Sequence, residues 1–274
     1  MSKKETIVNH GLIYRRKSDD FVAGVSSTIK YEVRNPSGNW LPYANVIMKE
    51  KQWFPNFDTF ACVSFSANNL CEMQIMHQTA QQVNFSDRFL AKMSGTTSEG
   101  NYLYIVGDTL RNIGGVLEEE WPKPPEATAT WASYYSAIPQ FVIDRAKKQF
   151  RDKYKIETEW VGNTADALRY HLKHAPLQFV IPGHAIAGII LAVDNNNVSF
   201  LDTYDPYIKT IPITRLTDVY KILLTCKEKN MSQIKTQAKG QSRRLALEAS
   251  SIEEWVALCK VYGKDPNIIE ETVN

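Results

Sequence analysis

Cysteine is scarce in this chain, and no two cysteines have the short spacing of a metal-binding pair. The four are Cys62, Cys71, Cys226 and Cys259. Zinc sites built on cysteine need closely spaced pairs, so we expect neither a metal site nor a cofactor. Cys62 and Cys71 are expected in one helix, about 13 Å apart, which is too far for a disulfide. Free thiols are therefore predicted, as is typical of a reducing compartment.

Long apolar stretches are also missing. The longest run covers residues 185–193, far below the ~20 residues that a membrane span requires. No apolar signal segment follows Met1, because Lys3, Lys4 and Glu5 come at once. These features predict a protein that is made in the cytoplasm and has no membrane partner, unless a larger assembly such as a virion incorporates it.

A strong charge of either sign is absent as well. The net charge of +2 gives no reason to expect a surface devoted to nucleic acid. Basic residues do concentrate between 227 and 244, where six lysines and arginines accompany one glutamate. Because no aromatic residues are interleaved with them, this stretch favours a protein assembly partner over nucleic acid.

The pattern of residues that are present predicts an α+β chain, with helices first and strands later. Helices are predicted over 59–82, capped by Asp58 or Thr59, and over 86–93, 102–114, 140–152 and 164–174. Strands are predicted over 177–181, 185–193, 198–201 and 209–213. The expected organisation is an arm over 1–40, a domain over 41–225 with a helical lobe to about 125, and a basic extension over 226–274 ending in a helix at 251–261.

Cys62 is the first candidate for chemistry. It lies in the first turn of a predicted helix, where the partial positive charge of the helix end favours a thiolate. The loop before it supplies unpaired backbone N–H groups that can hold an oxyanion. Asp58 would oppose the thiolate if its carboxylate lies close. The alternative is that Cys62 is simply a small buried residue.

His184 and Asp202 are the candidates for a base and its partner. His184 opens an apolar strand, which would hold an imidazole rigid and partly desolvated, as a general base requires. Asp202 ends the next strand of a predicted hairpin that turns at 194–197, so it can lie near His184 and fix its tautomer. Asp205 competes for this role, although a position before Pro206 also suits a turn residue.

Another pair of histidines could in principle bind a metal. His171 and His174 are three residues apart on a predicted helix and could share one of its faces. No third or fourth ligand is near them in the sequence. A solvated helix face is therefore the preferred interpretation.

Several short motifs resemble those of papain-like cysteine peptidases, in the same order along residues 40–210. They are Cys62-Val63-Ser64-Phe65-Ser66 around the nucleophile, Gly183-His184-Ala185-Ile186 around the base, Asp202-Thr203-Tyr204 in place of Asn-Ser-Trp, and Gly114-Gly115-Val116 with Trp121-Pro122 between them. The resemblance implies a papain-like fold, with a central helix carrying Cys62 in a helical N-terminal half and an antiparallel β-rich C-terminal half carrying His184. It also implies a cysteine peptidase that acts on polypeptides.

The resemblance assigns roles but leaves one of them open. Cys62 would be the nucleophile, His184 the base and Asp202 its orienting partner. The family has a glutamine six residues before the cysteine, whose amide helps to bind the oxyanion. Here Asn56 stands at that position and Gln52 lies four residues earlier. Either could serve, with Gln52 favoured.

The loop that contains Gly95 and Gly100 would line the substrate cleft, together with Asn56 and Gly183. In detail the motifs are most similar to papain-like proteins of bacteria and tailed bacteriophages. That similarity, and the departures from the family pattern, make a weakly active or inactive structural protein the main alternative. A cell-wall hydrolase of the NlpC-like kind ranks below both.

Overall fold

The structure is a computed structural model that describes residues 9–13, 29, 32–192, 194 and 196–227. The predicted basic extension, apart from its first two residues, and the predicted helix at 251–261 lie outside these ranges. Within them, no helix is long and apolar enough to cross a membrane. The same residues contain no group of histidine, cysteine and acidic side chains that could hold a metal ion.

Helices dominate the first half of the described chain. They are α1 (Leu41–Val46), α2 (Cys62–Thr79), α3 (Asp87–Met93), α4 (Leu103–Asn112), α5 (Trp131–Tyr134), α6 (Gln140–Lys153) and α7 (Ala165–Leu172). Ser86 and Thr164 cap α3 and α7 through their side chains. The prediction that Asp58 or Thr59 caps the cysteine helix is wrong. Phe60 has a φ of +53° and breaks the helical path, so α2 begins at Cys62 with Ala61 as its uncapped N-cap.

Most strands lie in the second half of the described chain, after a short hairpin in the first. The strands are β1 (Trp53–Phe54), β2 (Phe57–Asp58), β3 (Tyr154–Val161), β4 (Leu177–Ile181), β5 (His184–Leu191), β6 (Asn197–Leu201), β7 (Ile208–Pro212) and β8 (Asp218–Cys226). A six-stranded sheet has the order β3-β8-β4-β5-β6-β7, and every neighbouring pair is antiparallel. The predicted α+β class is confirmed, with an antiparallel C-terminal half that carries His184.

Helix α2 packs against β5, β8 and β4, and polar side chains fix its position. Gln178 on β4 is fully buried, and its Nε2 donates to the Val63 carbonyl (3.0 Å) and the Ser66 hydroxyl (2.7 Å) in the first turns of α2. Gln74 on α2 bonds the backbone of β8 at Ile222 and Leu224. The start of the cysteine helix is therefore fixed against the hairpin that carries His184.

Candidate active site

The β4–β5 hairpin and strand β6 bring His184 and Asp202 together. His184 begins β5 directly after the turn at Pro182 and Gly183, and Asp202 follows the last residue of β6. Nε2 of His184 lies 2.8 Å from Oδ1 of Asp202, and both side chains are buried. Nδ1 of His184 is buried and has no hydrogen-bond partner among the described residues. Asp202 thus holds one ring nitrogen and leaves the other available.

Asp202 is a strongly held carboxylate. Its Oδ1 also accepts the Thr203 backbone N–H (2.7 Å), and its Oδ2 accepts from Lys209 Nζ (2.7 Å). Burial by itself would raise the pKa of Asp202, but the hydrogen bonds and charges of His184 and Lys209 outweigh it and lower the pKa to about 2. The carboxylate is ionised at neutral pH and can stabilise a protonated His184.

Cys62 lies at the start of α2 against β5. Its Sγ accepts the backbone N–H of Ala185, the residue after His184, at 3.4 Å. The side chain is fully buried. Burial raises the pKa of the Cys62 thiol, and the carboxylates of Asp58 and Asp202 add to the shift. In this closed arrangement the thiol form is favoured, in contrast to the thiolate expected from the helix terminus.

Gln52, and not Asn56, belongs to this group of residues. Gln52 is fully buried, its Nε2 donates to the His10 carbonyl (2.8 Å) and to Asp58 Oδ1 (2.9 Å), and its Oε1 accepts from the Thr203 hydroxyl (2.9 Å). Asn56 is exposed in the turn of the β1–β2 hairpin. Asn56 therefore lies outside this group of hydrogen-bonded residues. It comes four residues after Gln52, in the turn of the hairpin that separates Gln52 from α2.

Three glycines predicted to line a cleft all have a positive φ. Gly183 (+74°) lies in the turn before His184, and its carbonyl accepts the His10 backbone N–H at 2.8 Å. Gly100 (+100°) lies against Gly11. Gly95 (+75°) borders a cavity of about 400 Å³ that Trp131 and Tyr135 also line. Gly100 and Gly183 both contact the segment formed by residues 9–13, and Gly95 faces open space.

Three further side chains at the site, those of Tyr204, His10 and Lys209, were assigned no role from the sequence. Tyr204 donates its hydroxyl proton to Asp58 Oδ2 and lies 3.0 Å from His10 Nδ1. The His10 ring packs on the rings of His184 and Tyr204, each with a centroid distance of 4.8 Å. Lys209 is bound to Asp202. These contacts join positions up to 194 residues apart, so only the folded chain reveals them, although the polar Asp202-Thr203-Tyr204 run indicates the region.

Other candidates lie elsewhere. Nδ1 of His171 is 3.3 Å from Lys221 Nζ, and burial with the Lys221 charge lowers the pKa of His171 to about 4. Nδ1 of His174 bonds the Glu32 carbonyl at 2.9 Å. Both histidines are largely buried, so the solvated face expected for them is wrong. Asp205 is an exposed residue of the loop before Pro206.

Similar known proteins are found by comparison of structures and not by comparison of sequences. No family model and no curated protein matches the sequence. Xylellain, a cysteine protease from Xylella fastidiosa, is 13% identical, with 83% of this chain and 98% of that chain covered at a TM-score of 0.55. Recombinant stem bromelain precursor is 12% identical, with 76% of this chain and 77% of that chain covered at a TM-score of 0.50. Digestive procathepsin L 3 of the Tenebrio molitor larval midgut is 12% identical, with 79% of this chain and 77% of that chain covered at a TM-score of 0.50.

At such identities the likeness establishes a fold and nothing finer. It covers 83%, 76% and 79% of this chain in the three comparisons. The suggested similarity to bacteriophage proteins stays a prediction. The chain has the fold of the papain-like cysteine-protease superfamily.

Proposed function

We propose that this protein is a cysteine peptidase that hydrolyses peptide bonds through Cys62, His184 and Asp202. One observation carries the proposal. Asp202 holds Nε2 of His184, the neighbouring Ala185 N–H contacts the sulfur of Cys62, and Nδ1 of His184 is the ring nitrogen without a partner among the described residues. A base adjacent to a thiol and oriented by a third group is the arrangement that nucleophilic catalysis requires.

The first step is a proton transfer from Cys62 to Nδ1 of His184. Burial opposes a lone thiolate, but transfer to an adjacent imidazole creates an ion pair instead. The Asp202 carboxylate stabilises the imidazolium through Nε2–H. Lys209 shares the same carboxylate and keeps it ionised at any pH near neutral. The thiolate then attacks the carbonyl carbon of a peptide.

The amide of Gln52 supplies the second element of catalysis. Its Nε2 already donates to a backbone carbonyl in this structure, that of His10, which is the contact that a substrate oxyanion would need. The Cys62 backbone N–H at the helix terminus is the second donor. His184 then protonates the leaving amine, and a water molecule activated by the same imidazole hydrolyses the thioester.

The proposal is tested by incubating the protein with a reduced, unfolded polypeptide and identifying the fragments by mass spectrometry. Wild type is compared with Cys62→Ala. We expect peptide release that depends on Cys62. Cys71→Ala is the matched control, because Cys71 is a buried thiol two and a half turns further along α2. Equal fragment release with and without Cys62 would rule the peptidase out.

A second candidate is a binding or assembly protein that keeps the fold without turnover. The complete burial of Cys62 and its raised pKa favour this candidate. The basic extension beyond residue 226 would then serve as the contact to a partner assembly. Stable co-purification with an assembly, together with unchanged behaviour of Cys62→Ala, is the result expected for this candidate.

A further inference from the structure

Lys209 reaches Asp202 because strands β6 and β7 bring the two side chains to the same face of the sheet. Their register places Lys209 opposite Phe200, two residues before Asp202. Residues two apart along a strand point to the same face, and a long side chain can reach its diagonal neighbour. The backbone N–H of Asp202 donates to the Tyr207 carbonyl at 2.7 Å, which extends the pairing past the end of β6. The pairing of the two strands therefore sets the position of Lys209 relative to Asp202.

Each carboxylate oxygen of Asp202 has a different basic partner. Oδ1 lies 2.8 Å from Nε2 of His184, and Oδ2 accepts from Nζ of Lys209 at 2.7 Å. The Asp202 side chain is 6% exposed and that of Lys209 is 29% exposed. Charges in a buried or half-buried place are screened much less than charges on the surface. Lys209 therefore contributes to the electrostatic field that acts on the His184 ring.

Other ionisable side chains also surround the His184 ring and its carboxylate. They are Cys62 on α2, His10 and Tyr204, whose rings pack on the His184 ring, and Asp58, which accepts the Tyr204 hydroxyl proton. Asp58 has further donors of its own in the Gln52 amide and the Phe60 backbone N–H. These groups stay the same when Asp202 or Lys209 is replaced, so differences between such variants report on the Asp202–Lys209 pair.

A carboxylate without a counter-charge would hold the His184 ring in its protonated form, because an adjacent opposite charge favours the charged state. The proposed reaction needs both forms of the ring. The imidazolium protonates the leaving amine, and the neutral imidazole activates water. An ammonium group on the far oxygen of Asp202 weakens the attraction between the carboxylate and the imidazolium. With Lys209 in place, Asp202 can orient the ring through Oδ1 without fixing it in one protonation state.

We propose that Lys209 is a positioning residue of the candidate site, which acts on His184 through Asp202 by balancing the charge of the carboxylate that orients the ring. The consequence for catalysis rests on the proposed function, but the charge balance does not. Asp202 keeps its place without Lys209, because its Oδ1 also accepts the Thr203 backbone N–H at 2.7 Å. The Asp202–Lys209 pair thus acts on the ring as a nearly neutral hydrogen-bond acceptor.

The test is the ratio of imidazolium to neutral imidazole at His184, measured from ring ¹⁵N chemical shifts in the full-length chain. The signals are identified by their loss in His184→Gln, and the pH is the one at which wild type shows both forms. Lys209→Met keeps an unbranched apolar stem but removes the charge. It is expected to raise the ratio at least ~10-fold, the effect of one uncompensated charge nearby. Lys209→Arg keeps the charge and should retain the wild-type ratio.

Asp202→Asn tests the opposite change. It removes the carboxylate and leaves the Lys209 charge unbalanced, so the ratio should fall below that of wild type. Adding Lys209→Met to this variant should raise the ratio again, because the double variant carries neither charge. Lys155→Met is the matched control. Lys155 is also a strand lysine bound to an acid, Glu157, at 2.9 Å, but it lies on β3 at the other edge of the sheet, and its loss should leave the ratio unchanged.

Kinetics with a peptide substrate adds a second measurement. Lys209→Met is expected to lower kcat at neutral pH and to move the pH of highest kcat upwards, while KM stays near the wild-type value. An equal ratio in wild type and Lys209→Met would overturn the proposal. A lower ratio in Lys209→Met would also overturn it, since Lys209 would then merely hold Asp202 in place.

The ratio does not depend on turnover, so the two proposals fail separately. The expected ratios without any hydrolysis would keep the charge balance and reject only the peptidase. Hydrolysis that depends on Cys62, with equal ratios in wild type and Lys209→Met, would keep the peptidase and reject the role of Lys209.

Discussion

At the scale of single residues, Gln52 and Asn56 have different surroundings, although the sequence allows either to be the oxyanion donor. The short β1–β2 hairpin separates them, with Gln52 buried before it and Asn56 exposed in its turn. Thr203 and Asp58 hold the Gln52 amide on both ends, so it is oriented before any substrate arrives. Preorganised donors of this kind contribute much of the stabilisation of an oxyanion.

Gln52→Ala and Asn56→Ala form a matched pair of variants. Gln52→Ala is expected to lower kcat for a peptide substrate by about 10²–10³, because the proposed oxyanion donor is lost. Asn56→Ala should leave kcat unchanged, since its side chain is exposed in the turn. Initial-rate kinetics at saturating substrate gives both values. A larger loss in Asn56→Ala than in Gln52→Ala would contradict this assignment.

The candidate residues divide into those that a sequence can reveal and those that it cannot. Cys62 and His184 were predicted because each lies in a short motif at the start of a helix or strand. Lys209 and His10 lie in no such motif, and Tyr204, although it ends the Asp202-Thr203-Tyr204 motif, was assigned no role. Their proximity arises from the pairing of β6 with β7 and from the path of residues 9–13, which long-range packing determines.

At the scale of elements, the β4–β5 hairpin positions the candidate base. Its two-residue turn pairs Ile181 with His184, and the Phe179 ring lies over Gly188 on the neighbouring strand. A Cβ at Gly188 would fall 2.3 Å from that ring. The hairpin has room for the Phe179 ring because Gly188, two residues from the register partner Ile186, lacks a side chain.

Gly188→Ala is expected to destabilise the fold by about 1–3 kcal/mol, because the Phe179 ring must shift within a packed core. The free energy of unfolding by urea measures the change. Gly162→Ala is the control, since its nearest contact is a single methyl group at 3.2 Å. Unchanged stability of Gly188→Ala would show that the hairpin tolerates the ring elsewhere.

The elements themselves were predictable to different degrees. Strand β4 was predicted with its bounds unchanged, since an apolar run between Pro176 and Pro182 has clear ends. Strands β3 and β8 were missed. β3 follows α6 without a break, so its alternation of polar and apolar residues begins where the helical pattern ends. β8 is buried on nearly all of its residues and lacks the alternation typical of a half-exposed strand.

At the scale of the whole molecule, we expect the docking of residues 9–13 beside the candidate site to depend on pH through His10. His10 faces His184, Tyr204, Asp58, Asp202 and Lys209 in the docked segment. Burial, followed by the charge of His184, lowers the pKa of His10 below its ordinary value of 6.5. Release into solvent restores the ordinary value, so protons bind more readily to the undocked state. Docking is therefore strongest above pH 6.5 and weakens as the pH falls below it.

A Cβ at Gly11 would lie 1.9 Å from the Phe60 carbonyl oxygen, so Gly11→Ala is expected to undock residues 9–13. The ratio of Cys62 alkylation rates in Gly11→Ala and wild type then reports docking at each pH, because the reactivity of the thiol largely cancels. This ratio is expected to be high above pH ~7 and to fall as the pH drops below the ordinary histidine value. His10→Phe should remove the pH dependence while keeping an aromatic ring. A ratio that stays constant or rises on acidification would contradict the sign of the effect.

The central claim concerns a thiol and an imidazole that act together, and one measurement tests it directly. The alkylation rate of Cys62 is followed from pH ~4 to ~9 in Gly11→Ala and in Gly11→Ala with His184→Ala. Fast modification that persists well below the free-thiol pKa of ~8.5, and that is lost with His184, is the predicted result. A rate that rises only through ~8.5 in both proteins would show an ordinary thiol and contradict the account.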